Sequence, residues 1–175
     1  MKNSFWDGVE GRHVFVSYGL GGGGKTQLDF KFAQINRNKF SEEFCINVTS
    51  VNIIKADLAS LAAAKKLAKH YVIAIKWFVG RQERQLLILS NADDPLDPKR
   101  YFPPCSHEDP LITTRNRQLI NYTQNPKAHR QWAQMKLEDG EGLLLKTSQI
   151  AEDEANDKVA EAMMNVCFIP STTIP

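Results

Sequence analysis

Eight consecutive residues, Gly19-Leu20-Gly21-Gly22-Gly23-Gly24-Lys25-Thr26, fit the pattern G-x-x-x-x-G-K-[ST]. The chemistry of that pattern is phosphate binding. Glycines let the backbone wrap a polyphosphate with successive N–H groups pointing inward, where a Cβ would block the approach. Lys25 can reach the β- and γ-phosphates as a mobile point charge, and the Thr26 hydroxyl can ligate Mg²⁺. A helix opening at Lys25 aims its positive end at the same anion. At an average glycine usage near 7%, the pattern arises by accident in roughly one chain of this length in a hundred or fewer.

The elements that must hold such a loop are present in order. His13 to Tyr18 is a short apolar run, as a buried parallel strand should be. Gln27 to Ile35 follows the loop, with Leu28, Phe32 and Ile35 expected on one buried helical face. A flexible glycine linker, the competing reading, has no reason to sit between a strand and a helix.

Farther along, Arg37 to Ser41 is a polar connection and Phe44 to Thr49 reads as a second strand. Ser50 is a plausible N-cap for a helical stretch from about Val51 to Lys69. Tyr71 to Phe78 continues as a further helix expected to carry Trp77 inward. After a solvated turn at Gly80 to Arg84, Leu86-Leu87-Ile88-Leu89 is a third, fully apolar strand. It ends at Ser90-Asn91-Ala92-Asp93-Asp94-Pro95, and a polar loop runs to Pro104. Leu111 to Thr114 is a fourth strand leading into Arg115-Asn116. A weaker fifth lies in His129 to Lys136. Helical segments at about Glu138–Gln149 and Glu152–Asn165 close the chain. Strands alternating with helices predict an α/β fold, a three-layer α/β/α sandwich around a mainly parallel five-stranded sheet.

Composition narrows the class without naming a partner. The 175 residues suit one domain with a sizeable core, and the 42% hydrophobic and 24% charged fractions are those of an ordinary soluble protein. No apolar stretch approaches the ~20 residues that span a bilayer. Residues Met1 to Gly8 carry an acid and no apolar segment, so no signal peptide is expected. A net charge of +2 calls for no nucleic acid. Cys45, Cys105 and Cys167 show no metal spacing and read as buried free thiols of a reducing, cytoplasmic compartment. His13, His70, His107 and His129 are scattered. Trp6, Trp77 and Trp132 read as packing residues.

Three ordered segments carry a resemblance: Val16 to Gln27, Leu86 to Pro95, and Leu111 to Asn116. Together they look like the nucleotide-binding core of NB-ARC proteins, most similar to the fungal, NLR-like branch of the STAND-class P-loop ATPases. The likeness runs from about Val14 to Asn116 and more loosely to about Asn165. It implies a lead-in over residues 1–12, a P-loop core over 13–136, and a C-terminal helical segment over 137–175. It implies that Gly19, Gly21, Gly22, Gly23, Gly24, Lys25, Thr26 and Gln27 bind ADP or ATP, with Thr26 on Mg²⁺. Read from its surroundings alone, Arg115 is either a surface arginine or a phosphate sensor. The resemblance implies the sensor, detecting the γ-phosphate.

The departures from the family are as informative. Ser90 stands where the family has an aspartate that holds Mg²⁺, so weak or absent hydrolysis is expected and no catalytic base is assigned. Asp93 or Asp94 either compensates as a metal ligand or caps the loop. Gly8 to Arg12 is a remnant of an adenine-contacting segment. Val166 to Pro175 stops where a G-L-P-L motif would begin, and the winged-helix region has no counterpart, so a truncated core is expected. The family implies a nucleotide-driven signal-transduction switch, with protein partners or self-association left open. Two rival readings are a conventional P-loop ATPase or small-molecule kinase, and a degenerate interaction module that binds no nucleotide.

Overall fold

In this computed structural model the described residues are 11–93, 107–133 and 139. The chain divides into two compact units, Met1–Ala133 and Gln134–Pro175, and the elements below belong to the first. They are β1 (Phe15–Gly19), α1 (Lys25–Asn36), β2 (Glu42–Asn47), α2 (Val51–Ala64), α3 (Tyr71–Val79), β3 (Gln85–Ser90), β4 (Glu108–Thr114) and β5 (His129–Trp132), with 3-10 turns at Arg37–Lys39 and Arg117–Tyr122. The expected closing helices, the polar loop beyond Asp93, Asp94, Cys105, Cys167 and Trp6 lie outside the described residues.

The five strands form one sheet in the order β2-β3-β4-β1-β5, and every pairing is parallel. Burial follows position. Every residue of β3 and β4 is buried, whereas the edge strands β2 and β5 are half covered. Central parallel strands are apolar on both faces because helices cover both.

The strand order explains which helix covers which face. From β1 the chain jumps to the far edge at β2, then steps back through β3 and β4. Right-handed crossovers in opposite directions must lie on opposite faces. Accordingly, Phe32 and Ala33 of α1 pack with Phe15, Leu86, Ile88 and Leu111. Ile54 and Leu58 of α2 and Phe78 of α3 pack with Val16, Leu87, Leu89 and Ile112 on the other side. Alternate strand residues thus feed two cores, and the fold is the three-layer α/β/α arrangement.

Several local expectations are corrected. The buried face of α1 is Asp29, Phe32, Ala33 and Asn36, while Leu28 and Ile35 are 40% and 53% exposed. The helix is rotated because two polar residues find partners inside: Asp29 meets Ser17, and Asn36 Nδ2 donates to the Phe32 carbonyl. The stretch expected to run to Lys69 stops at Ala64. There Lys66 takes the left-handed conformation (φ 59°), and the N–H groups of Lys66 and Leu67 turn back to the Ala63 and Ala62 carbonyls. That is a Schellman stop built on lysine instead of glycine. In α3 the inward aromatic is Phe78, not Trp77, which is half-buried against the edge of Phe44.

β2 starts two residues earlier than expected. β4 extends back through Glu108, Asp109 and Pro110; Arg12 pairs with Glu108, and Asp109 accepts from the His13 backbone N–H and pairs with Arg84. Cys45 is exposed on the edge strand, not buried. Ser50 caps α2 as expected, its hydroxyl accepting from the Ile53 N–H at 3.3 Å.

Candidate nucleotide site

β1 delivers the glycine loop to the carboxyl edge of the sheet, beside the point where successive connections leave in opposite directions. Open parallel sheets bind ligands at such a point. Gly19 has φ 148°, and a Cβ on it would collide with the carbonyl oxygen of Trp132 on β5. Gly24 is the N-cap of α1 in the left-handed conformation (φ 71°), and its carbonyl receives the Leu28 N–H at 2.9 Å. The first-turn N–H groups have no capping side chain to accept them and remain oriented for an anion.

Because β4 lies between β1 and β3, its end comes directly beside the loop. The segment after β3 is stitched onto it. Ala92 N–H donates to the Thr113 carbonyl (2.9 Å), Asn91 N–H to Thr113 Oγ1 (3.2 Å), and Thr114 Oγ1 to the Ala92 carbonyl (2.6 Å). Asn91 reaches this position with φ 59°, a conformation that asparagine tolerates well. Loop, β3 end and β4 end together enclose a cleft of about 460 Å³, within the usual range for small-molecule sites.

Two cations reach this cleft. Lys25 Nζ donates to the carbonyls of Gly19 (2.9 Å) and Leu20 (2.6 Å). Burial pulls its pKa below the ordinary lysine value; Asp93 and Asp29 oppose that pull and Arg115 adds to it. Arg115 is held by Asp93 through its backbone N–H to Oδ1 (2.6 Å) and its Nε to Oδ2 (2.6 Å). Beneath the loop, Ser17 Oγ donates to Asp29 Oδ1 at 3.0 Å and accepts from Trp132 Nε1 at 3.1 Å. Burial pushes the Asp29 carboxyl up to about 7, against the opposing pulls of Ser17 and Lys25.

Of the residues singled out in the sequence, Gly21 to Gln27, Asp93 and Arg115 line one cleft. Gly19 sits below it, packed on β5 and accepting Lys25. Ser90 is 7% exposed and directs its hydroxyl to the Ile46 carbonyl (3.4 Å) on β2. The histidines do not gather: His13 bonds Asp109 and His70 caps α3. Among the described residues no three His, Cys, Asp or Glu side chains are grouped to hold a metal. Thr113 and Thr114 are lining residues that sequence reasoning passed over, although they directly precede Arg115; Asn91 lines the cleft as well. Asp29 was passed over too, although it stands one helical turn after Lys25. Trp132 does more than pack, since its ring N–H completes the Ser17 bond.

No family model and no curated protein matches the chain. Among solved structures, the crystal structure of a Signal Transduction ATPase with Numerous Domains (STAND) protein with a tetratricopeptide repeat sensor, from Pyrococcus horikoshii, is similar over 89% of this chain and 27% of that one. The identity is 18% and the TM-score 0.48. This chain thus spans about a quarter of that protein's length. The fold assignment rests on the sheet order and layers described above. No described helix is long and apolar enough to cross a membrane.

Proposed function

We propose that the cleft binds an adenine nucleotide, ADP or ATP with Mg²⁺, and that the chain is the nucleotide-binding core of a cytoplasmic signal-transduction switch of the NB-ARC type. One observation carries the phosphate part of this reading. The glycine loop with Lys25, the β4 end with Arg115, and Asp93 converge on a single cleft at the carboxyl edge of a parallel sheet. Lys25 would take the β- and γ-phosphates, and Arg115 the terminal phosphate. The choice of adenine rests on the sequence resemblance.

The donor set suits a phosphate-borne Mg²⁺ and not a free one. Mg²⁺ brought by a nucleotide needs few protein ligands, and Thr26 and Asp93 would supply them. The ion would neutralise charge on the phosphate oxygens. Hydrolysis is expected to be slow or absent because Ser90 brings no carboxylate and turns its hydroxyl toward β2. One observation favours a non-binding interaction module as the second reading: Lys25 and Arg115 are each already satisfied by oxygens of the protein itself.

Thermal stability of the chain against ADP, ATP and GTP, with and without Mg²⁺, separates the two. Adenine nucleotides at a hundred times Kd should stabilise by about 2.7 kcal/mol, and Lys25→Ala should abolish the effect. A well-folded protein that no nucleotide stabilises belongs to the second reading.

A further inference from the structure

Beneath the phosphate loop lies a buried polar relay. Trp132 on β5 donates to Ser17 on β1, and Ser17 donates to Asp29 on α1. Ser17 and Asp29 are both 0% exposed. Asp29 stands one turn after Lys25, so the relay ties the start of α1 to the two strands that flank the loop. Its second oxygen, Oδ2, is buried with no hydrogen-bond partner. A carboxylate oxygen in that situation is costly, and a protonated one much less so.

We propose that Asp29 is a positioning residue of the phosphate loop and takes up one proton from solvent when a polyphosphate binds. This rests on the nucleotide reading above. The charged groups facing Asp29 among the described residues are few. Lys25 lies on its own helix, and Arg130 is on the same face of β5, stacked 5.2 Å over the Trp132 ring. On that face β1 and β3 present no charged side chain, and β4 presents, besides Thr113, only Asp109, four residues back along the strand and bonded to the His13 N–H and Arg84. Lys25 is therefore the main counter-charge that, after the Ser17 hydrogen bond, favours the ionised form of Asp29 against the burial that raises its carboxyl to about 7. A phosphate that engages Lys25 removes this support and adds negative charge close by. The carboxylate then binds a proton at Oδ2: one O–H bond forms, the proton comes from the buffer, and no other bond changes. The Ser17 bond to Oδ1 survives, so the loop stays anchored in both protonation states.

The test is calorimetric binding of Mg-ADP at pH 6, 7 and 8 to the full chain and to Asp29→Asn. Buffers of different ionisation enthalpy report the protons exchanged. The asparagine keeps an oxygen for Ser17 but cannot titrate, and the ligand's own ionisation cancels between the two proteins. The wild type should lose about threefold or more in affinity from pH 6 to 8 relative to the variant, since linkage allows up to about tenfold per pH unit for one proton. Proton uptake should be present in the wild type and absent from the variant. Equal pH profiles and equal uptake in two proteins that both bind would overturn the proposal alone. Failure of both to bind at any pH would overturn it together with the nucleotide reading. Infrared difference spectra of the wild type with and without Mg-ADP give a second readout if the variant does not fold. A new protonated-carboxyl band supports the proposal, and its absence defeats it.

Discussion

Asp93 grips Arg115 at two points, accepting the backbone N–H on one carboxylate oxygen and the guanidinium Nε on the other, both at 2.6 Å. In the nucleotide reading proposed above, the cation that would meet a terminal phosphate is thus tied to the carboxylate that would meet its metal. The Arg115 side chain is 65% exposed, so the ion pair itself contributes little to stability. The backbone bond, which fixes the end of β4, contributes more. Asp93→Ala should therefore cost about 1 kcal/mol in urea denaturation. It should tighten ADP binding measured without Mg²⁺, because Arg115 is released, and remove any gain on adding the ion. Unchanged Mg²⁺ dependence would mean that Asp93 is no metal partner.

Lys25 satisfies itself on carbonyls of its own loop, and those bonds are partly open to solvent. Removing the side chain should leave unliganded stability within about 1 kcal/mol of wild type. The rise in melting temperature with adenine nucleotide should vanish. A variant that melts as early as an unfolded control would show Lys25 to be structural, contrary to this expectation.

The loop is legible in sequence because its demands are local: glycines for the backbone path, then a lysine and a hydroxyl at fixed offsets. Leu86 to Leu89 is legible for a similar reason, since four apolar residues in a row need cover on both faces. The rotation of α1 is not legible. Asp29 is buried because Ser17, twelve residues earlier, lies opposite it across the layer. Glu108 and Asp109 look like loop residues until Arg12 and Arg84 arrive from elsewhere in the chain. Trp132 meets Ser17 across a separation of 115 residues, which no local pattern announces. The stop at Lys66 escapes notice because lysine seldom takes the conformation that glycine takes freely. Ser90 is a mixed case. Its departure from the motif of the proteins this sequence resembles is visible in sequence, but the turn of its hydroxyl toward β2 is visible only in three dimensions.

Two glycines of one loop should respond differently to the same change. A Cβ at Gly19 runs into the Trp132 carbonyl at a backbone angle that side chains rarely adopt, so Gly19→Ala should cost on the order of 2 kcal/mol or more. At Gly21 the nearest atom to an added Cβ is Arg115 Cδ at 3.9 Å, an ordinary contact. Gly21→Ala should fall within about 0.5 kcal/mol of wild type. Urea midpoints decide this, and tryptophan fluorescence should report displacement of β5 only in Gly19→Ala. Equal midpoints would mean that β5 yields without cost.

Asp29 predicts an unusual pH dependence of stability. Its carboxyl is raised from 3.8 to about 7, so between those values the folded protein binds a proton that the unfolded chain does not. Stability must then fall as pH rises from about 4 to 7 and lose nothing further above. The ceiling on the effect is about 4 kcal/mol. Asp29→Asn should flatten this slope and be the more stable protein at pH 8. Chemical denaturation across that range reads the difference directly. Parallel curves for the two proteins would show that Asp29 titrates at an ordinary carboxyl value.

Ser90→Asp asks whether one missing carboxylate accounts for the weak hydrolysis proposed above. The position ends β3 on the sheet face that α1 covers, and the present hydroxyl is buried against the Ile46 carbonyl. A carboxylate there loses solvent and faces a carbonyl oxygen, so the variant should be less stable by about 1–3 kcal/mol at pH 8. With Mg-ATP bound, the same carboxylate gains a cation to face. Phosphate release should then rise above wild type, and Mg-ATP should stabilise the variant more than the parent. Both effects are read on one preparation, by phosphate assay and by melting temperature. If the variant folds and binds Mg-ATP yet releases no more phosphate, the missing aspartate is not what limits the chemistry. Attention would then pass to the water-activating group, for which the described part of the cleft offers only Asp93, itself engaged by Arg115.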